Sequence, residues 1–501
     1  MAITLAVGPA GTGAAPSWNQ FRGPNGSGVA QDCRPPLKPE AGHETWKVAI
    51  PPGLSSPVLS GGKIFLTAID GNRLVTLAFE SSSGKPLWRR EAPEVPLEKV
   101  HQTSSPATST PLVDAEHIYV YFGSFGLICY DHDGLEKWAR PISTPKSLYG
   151  MSTSPIGYKN TVILVIDNDS NLLKSKLSQS KIVAFKKDDG EVAWETQRPH
   201  HRSGWSTPMI WKHGEDEELI VLGNGRVRSY NPRTGVEKWF VGGFSRETIA
   251  VPVSGNGHVY ISSAQLGGGA DDKIDPQPFW QAIMRFDANN DGKLERKEMT
   301  GHFTYPLRPE LPLGHPGFGI PLPGDKQQRK GRLDGIFGWV DKNRDGFWTD
   351  DEYTAHMAFR RGRPLLMAIR PGGEGNVEDS HVNWELNRGI PEIPSPLFYQ
   401  GHIYLVRNGG LLAAVDAKDG TQLYRERLGG SGQYSASPVV ANDHLYLISN
   451  FGLLSVVKTG GKFELIHRYD LKEPVLVTPA IDSSTIYIRS EKNLLALRRK
   501  S

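Results

Sequence analysis

The chain has 501 residues, 22% of them charged and 38% hydrophobic, so it can bury a core and is not disordered throughout. Gly 55 and Pro 37 favour turn-rich β structure over helical bundles. Lys+Arg 57 against Asp+Glu 54 leave a net charge of +3 with no long basic run, which argues against a nucleic-acid partner, and no stretch approaches the roughly 18 apolar residues of a membrane-spanning helix.

The first segment, Met1 to Val7 followed by the small-residue run Gly11–Pro16, has the shape of a secretory signal that lacks its basic start. A flexible apolar tail reads equally well. The first reading places the protein in the periplasm or outside the cell. Asn19 to Asn25 is a turn-rich lead-in without enzyme chemistry, and residues 1–40 are set apart as such. Cys33 and Cys129 are too few for a disulfide framework and form one bridge or none.

A short unit then recurs: Ser, Thr or Val, then Pro, then an apolar residue, a turn and an alternating strand. It stands at Ser56-Pro57, Thr110-Pro111, Ser154-Pro155, Thr207-Pro208, Val251-Pro252, Ser395-Pro396, Ser437-Pro438 and Thr478-Pro479. Successive prolines are 54, 44, 53, 44, 144, 42 and 41 residues apart, so one interval carries an insertion of about 100 residues. In phase with it, Gly precedes Trp or Tyr by four residues at Gly84/Trp88, Gly134/Trp138, Gly190/Trp194, Gly235/Trp239 and Gly420/Tyr424. That Gly suits a hairpin between two strands, and the aromatic can pack between neighbouring sheets. Four short strands every 40 to 55 residues are the signature of a propeller blade. A two-sheet sandwich would leave the shared phase of the two signals to accident.

The expected fold is therefore all-β, an eight-bladed β-propeller with a small α-helical pair inserted in blade five. Blades fall in 41–265 and 364–501, with the insertion at 266–363. The last unit ends at Leu494–Arg498 without room for a fourth strand. Glu44–Val48 has the composition of that strand, so the two termini are expected to close one blade together and remove two sheet edges.

Ala184-Phe185-Lys186-Lys187-Asp188-Asp189-Gly190-Glu191-Val192-Ala193-Trp194 and its four relatives resemble the tryptophan-docking repeat of pyrroloquinoline-quinone-type (quinoprotein) propellers. The likeness covers roughly 36–263 and 365–500. Unit seven departs from it, with Leu465 where the aromatic should stand. Two branches share this repeat: quinoprotein dehydrogenases and non-catalytic propellers such as the outer-membrane assembly lipoprotein. The repeat alone does not choose between them.

Inside the insertion, Asp287 to Glu298 and Asp341 to Glu352 each match a twelve-residue calcium loop. Calcium is a hard cation that takes six to eight oxygens in a flexible cage. Positions 1, 3 and 5 supply Asp287, Asn289 and Asp291 in one loop and Asp341, Asn343 and Asp345 in the other. Gly292 and Gly346 permit the turn at position 6. Lys293 and Phe347 offer only their carbonyls, Glu295 and Thr349 stand at the water-mediated ninth position, and Glu298 and Glu352 close the cages. Helices are expected over Pro278–Phe286 and Gly335–Val340. Leu294 and Trp348 would pair the loops back to back. The segment from about 274 to 361 resembles a pair of EF-hands, which implies two Ca2+ sites.

Any active site would lie at the loops before the Pro-marked strands, where His101, His201, Arg202, Glu247 and Tyr434 are candidates for an anionic or quinone ligand. The plainer reading makes them the polar lining of a wet channel. The dehydrogenase branch typically stacks its quinone on a disulfide of adjacent cysteines, which this chain lacks. The reading adopted is a calcium-binding, non-catalytic scaffold of the bacterial cell envelope with protein or glycan partners. The alternatives are a quinone-dependent sugar or alcohol dehydrogenase, with pyrroloquinoline quinone as cofactor, and a carbohydrate-binding propeller.

Overall fold

In the computed structural model the eight proline marks each fall one residue before the first strand of a four-stranded antiparallel sheet. The structure describes residues 18–499, apart from 148, 170–178, 199–200, 202, 224, 246–247, 265–276, 300, 302, 307–308, 310–311, 316–317, 342, 358–363 and 431. Blade 1 runs Val58–Ser60, Lys63–Asp70, Arg73–Glu80 and Pro86–Glu91, in that spatial order. The middle two strands are buried on both faces and the fourth is largely exposed, so the short first strand is the inner one. The pattern repeats through blade 8, whose three strands Ala480–Asp482, Thr485–Arg489 and Asn493–Arg498 are completed by Glu44–Ala49. In that last pair Val48 stands opposite Leu494 and Trp46 opposite Ala496.

The hydroxyl before most prolines has a physical reason. The backbone N of Ser56 donates to Thr110 Oγ1 (2.9 Å), Thr110 to Ser154 Oγ (3.0 Å) and Ser154 to Thr207 Oγ1 (3.1 Å). On the other side, Val251 N donates to Ser395 Oγ, Ser395 N to Ser437 Oγ, and Ser437 N to Thr478 Oγ1, all at 3.0 Å. In these six pairs a blade satisfies a buried N–H of the blade before it, where an unpaired donor would cost about 1–3 kcal/mol. Val251 has no hydroxyl to offer, and the girdle has a gap between blades 4 and 5.

The hairpin Gly and the aromatic belong to different contacts than their spacing suggests. Trp46, Trp88, Trp138, Trp194 and Trp384 each lie on the hairpin Gly of the following blade: Gly84, Gly134, Gly190, Gly235 and Gly420. Their Nε1 atoms donate to a carbonyl of that blade, on Ser81, His132, Lys187, Pro232 and Ala417 respectively, at 2.8–3.2 Å. Trp239 is the exception. It donates to Glu218 Oε2 (2.8 Å) within its own blade, because the outer edge of blade 4 is covered by Gly375–Asn376 running parallel to Trp239–Phe240. Burial pushes the Glu218 carboxyl upward, but bonds from Lys238, Ser229 and Trp239 outweigh it and hold it below its ordinary value. Tyr424 packs edge-on to Phe463 of blade 7 (5.7 Å).

Separate apolar clusters fill the gaps between neighbouring blades, and the insertion has its own core of Trp280, Ile283, Leu294, Phe303, Phe337, Trp348 and Tyr353. Blades 7, 8 and 1 share one cluster. Fully buried Arg489 of blade 8 clamps this junction, donating to Ser55 O and Oγ, Thr67 O and Pro51 O. Burial lowers its pKa to about 9. Cys33 and Cys129 are buried free thiols. Among the described residues, no helix is long and apolar enough to cross a membrane.

Candidate metal-binding insertion and axial face

Strands alternate in direction within a blade, so the connection from second to third strand and the connection from fourth strand to the next blade leave at the same end. The insertion joins the second and third strands of blade 5, His258–Ser263 and Leu365–Ile369. It therefore rises from the face that carries the inter-blade loops with His101, His201 and Tyr434.

Within it, helix α1 (Gln277–Ile283) and a 3-10 turn (Met284–Phe286) lead into the first acidic loop. Helix α2 (Lys326–Val340) leads into the second, and α3 (Asp350–Met357) follows it. The sequence placed α2 only from Gly335. It starts nine residues earlier because Asp325 caps it, accepting from Gln327 N and Gln328 N, which outweighs three interior glycines. Leu294–Glu295 pairs antiparallel with Phe347–Trp348, setting fully buried Leu294 against fully buried Trp348 and joining the loops.

The two loops fold alike. In the first, Asp287 Oδ2 accepts from Gly292 N (3.0 Å), Asn289 Oδ1 from Asp291 N (2.9 Å) and Asp291 Oδ1 from Lys293 N (2.9 Å). Glu298 accepts from Ala288 N (3.0 Å) and Glu295 N (2.9 Å). In the second, Asp341 Oδ2 accepts from Gly346 N (3.2 Å), Asn343 Oδ1 from Asp345 N (2.9 Å), Asp345 Oδ1 from Phe347 N (2.9 Å), and Glu352 from Thr349 N (3.3 Å) and Thr349 Oγ1 (3.1 Å). Gly292 and Gly346 sit at φ +79° and +91°, where a side chain would be strained. The Lys293 ammonium lies over the Phe347 ring at 5.1 Å, so both side chains face away from their loops' oxygens.

One atom in each loop is left over. Asp287 Oδ1 and Asp341 Oδ1 are buried and have no hydrogen-bond partner. A buried carboxylate oxygen without a donor is costly, and a hard cation is the partner its chemistry suits. Among the described residues, no three His, Cys, Asp or Glu side chains already converge on a point. The loop acids are instead occupied by the loop's own N–H groups. The donor set, oxygens of Asp, Asn, Glu and backbone, fits calcium.

The axial candidates are not gathered into one pocket. His101 is exposed, bonded through Nδ1 to Thr103 Oγ1 (2.8 Å), and edge-on to Tyr149, which is itself edge-on to Trp205 (centroids 5.0 and 5.1 Å). His201 is buried between blades 3 and 4, its Nε2 2.8 Å from Arg228 Nη1. Beside it Arg198 and Asp167 form a buried pair at 2.7 Å; burial lifts Asp167 to about 6, with the Arg198 charge opposing. Tyr434 is buried between blades 6 and 7, and its backbone N donates to Asn408 Oδ1. Arg202 and Glu247 lie outside the described residues.

Sequence reasoning passed over the segment 18–34, which straps the inner edges of the ring. Trp18 O accepts from Leu59 N (2.8 Å), Asn19 O from Val113 N (2.8 Å) and Gly28 O from Val440 N (2.8 Å). Asn25 pairs with both Ile210 N (3.0 Å) and Ile210 O (2.6 Å). Leu59, Val113, Ile210 and Val440 each stand two residues past their blade's proline. The strap reads one repeated position on four inner strands, supplying acceptors that those open edges lack. Val29–Ala30 adds a parallel strand to blade 7, and Arg34 N reaches Ser483 O of blade 8. Positive φ at Arg22, Gly23, Asn25, Gly26 and Gly28 turns the segment tightly, and this clustering of Gly and Asn was the available signal.

Comparison with solved structures finds the same fold in BamB from Moraxella catarrhalis, at 9% identity and TM-score 0.51, over 91% of this chain and 99% of that one. Quinohemoprotein alcohol dehydrogenases are also alike: that of Comamonas testosteroni at 12% identity and TM-score 0.51 over 97% and 81%, and one of Pseudomonas putida at 11% and 0.53 over 96% and 80%. No curated protein sequence matches. The family model described as outer membrane protein assembly factor BamB matches residues 36–149, 113–266 and 408–500, and the chain belongs to that family of PQQ-like propellers.

Proposed function

We propose that the protein is a calcium-binding, non-catalytic scaffold of the cell envelope, which presents its insertion to a protein partner. The observation that carries this reading is the orphaned position-1 oxygen in each of two paired, identically folded loops. Weak affinity would suffice in a calcium-rich compartment, where extracellular modules work at about 10⁻⁴–10⁻³ M. The family description, an outer membrane assembly factor, supports the envelope and a protein partner. The strap along the inner strands and the lack of adjacent cysteines favour a scaffold over the dehydrogenase branch.

Calorimetric titration of metal-free protein is expected to give two calcium ions per chain, and none in the Asp287→Ala/Asp341→Ala double variant. Unchanged stoichiometry in that variant removes the calcium assignment. A parallel titration with pyrroloquinoline quinone tests the other branch: uptake with dye-linked alcohol oxidation would make the protein an enzyme.

A further inference from the structure

We propose a second ligand site on the insertion, a cleft beside the second acidic loop that takes a carboxylate. This goes beyond the calcium reading and rests on it only for the coupling described below. The cleft has a volume of about 580 Å³ and is lined by Arg296, Phe337, Gly338, Asp341, Arg344 and Gly346. That size lies within the roughly 300–1,000 Å³ typical of small-molecule sites.

Its two cations stand on different elements. Arg296 follows the first loop's short strand. Its guanidinium lies over the Phe337 ring at 4.8 Å and contacts Asp334 at 3.2 Å. The ring and the single carboxylate hold the planar fork in place, yet the side chain remains about half exposed, leaving donors for a ligand. Arg344 comes from the second loop itself, at φ +63°, and has no ion pair among the described residues. One guanidinium without an ion pair among the described residues, Arg344, beside a second that one carboxylate engages on one side, Arg296, makes the cleft a carboxylate or phosphate receptor. Asp341 in the wall, with Asp345 close by in sequence, weighs against a doubly charged phosphate and leaves the singly charged carboxylate.

The floor is bare. Gly338 lies inside α2, where a glycine costs about 1 kcal/mol relative to Ala, and a Cβ added there would meet no atom within 4 Å. The same is true of Gly346. A larger side chain at 338 would therefore project into the cleft without clashing. Phe337 lies beneath, its ring covered by Arg296 and stacked on Trp348, so it fixes Arg296 rather than meeting the ligand itself.

Asp341 belongs to both the cleft and the calcium loop. Occupancy of one changes the field at the other, and by linkage any effect of calcium on carboxylate affinity equals the effect of carboxylate on calcium affinity. Calcium bound at Asp341 offsets its negative charge, so the cleft should bind carboxylates more tightly in the calcium-loaded protein.

The test is calorimetry of the full chain, with and without calcium, using benzoate as the probe, and a short capped peptide containing Phe-Glu to ask whether a protein side chain can serve. Saturable binding of either probe, weakened about tenfold or more by Gly338→Leu and by Arg344→Gln, is expected. Leu favours the helix, so Gly338→Leu should fold and keep its calcium stoichiometry. No saturable binding of either probe, or binding that both variants leave unchanged, overturns the site. Calcium is measured in the same samples, so loss of calcium binding with retained benzoate binding would count against the loops alone.

Discussion

Gly190→Ala isolates the energy of one blade-to-blade contact. A Cβ at Gly190 would lie 2.5 Å from Trp138 Cε3, 2.7 Å from Cδ2 and 2.9 Å from Cζ3, and the residue sits at φ +73°. The left-handed backbone costs an L-residue about 1–2 kcal/mol. Forcing a methyl group into a packed contact adds about 1–3 kcal/mol, because the indole is held by its bond to Lys187 O and cannot simply move. The total expected is about 2–5 kcal/mol. Gly214→Ala is the control: φ is +58° there, but the added Cβ meets nothing within 4 Å, so only the backbone cost remains. Urea unfolding followed by tryptophan fluorescence and circular dichroism should place the Gly190→Ala midpoint clearly below that of Gly214→Ala. Trp138→Leu in the Gly190→Ala background should narrow the gap. Equal midpoints for the two alanine variants would refute the docking argument.

Asn25→Gly, which keeps the φ of +51° unstrained, strips both partners from Ile210 and should cost about 2–4 kcal/mol; hydrogen exchange at the Ile210 amide should accelerate, and unchanged protection would mean the strap does not hold blade 4. Glu98, within the loop between blades 1 and 2, is buried, accepts from Met151 N (3.1 Å), and is raised by burial to about 7. The folded state then binds more protons than the unfolded one between about pH 4.5 and 7, so stability should fall as pH rises through that window, by at most about 3 kcal/mol. Glu98→Gln should flatten this dependence and be the more stable form at pH 8, as thermal melts across pH would show. Chelation of calcium should expose 287–352 to limited proteolysis while the blades stay intact; equal cleavage with and without calcium would mean the loops do not order on binding.

Much of the ring was legible because two independent signals share its period. The proline fixes φ and lacks a donor just where each inner strand begins, so all eight marks survive in sequence, and in six of them the hydroxyl before the proline serves the preceding blade. The hairpin glycines were equally visible, but their partner was not. Spacing alone pairs Gly190 with Trp194, whereas the ring on Gly190 is that of Trp138, 52 residues earlier, a relation only three dimensions supply. Trp239 keeps the motif but docks on Glu218, since in blade 5 the connection between the third and fourth strands is a longer segment whose Gly375–Asn376 runs along Trp239–Phe240. The calcium-type loops could be read position by position because their ligands are local. The strap could not, because its bonds go to strands up to 412 residues away and, Asn25 apart, use backbone groups that every residue has. The cleft escaped for the same reason: Arg296 and Arg344 meet through the pairing of the two loops.

The strap also sets an order of events during synthesis. Residues 18–34 are made before all eight blade marks, yet two of their partners, Val440 and Ser483, follow more than 400 residues later. Bonds of Arg489 to Ser55 span 434 positions. Trp18 and Asn19 can pair with blades 1 and 2 early, but Gly28 and Arg34 must wait for blades 7 and 8, and such long-range closure is slow. A chain truncated before blade 8 would lose the partners of Glu44–Ala49 and Arg34 together, leaving two open sheet edges and an unfastened leading segment. For this molecule the circle can close only once blade 8 has been made.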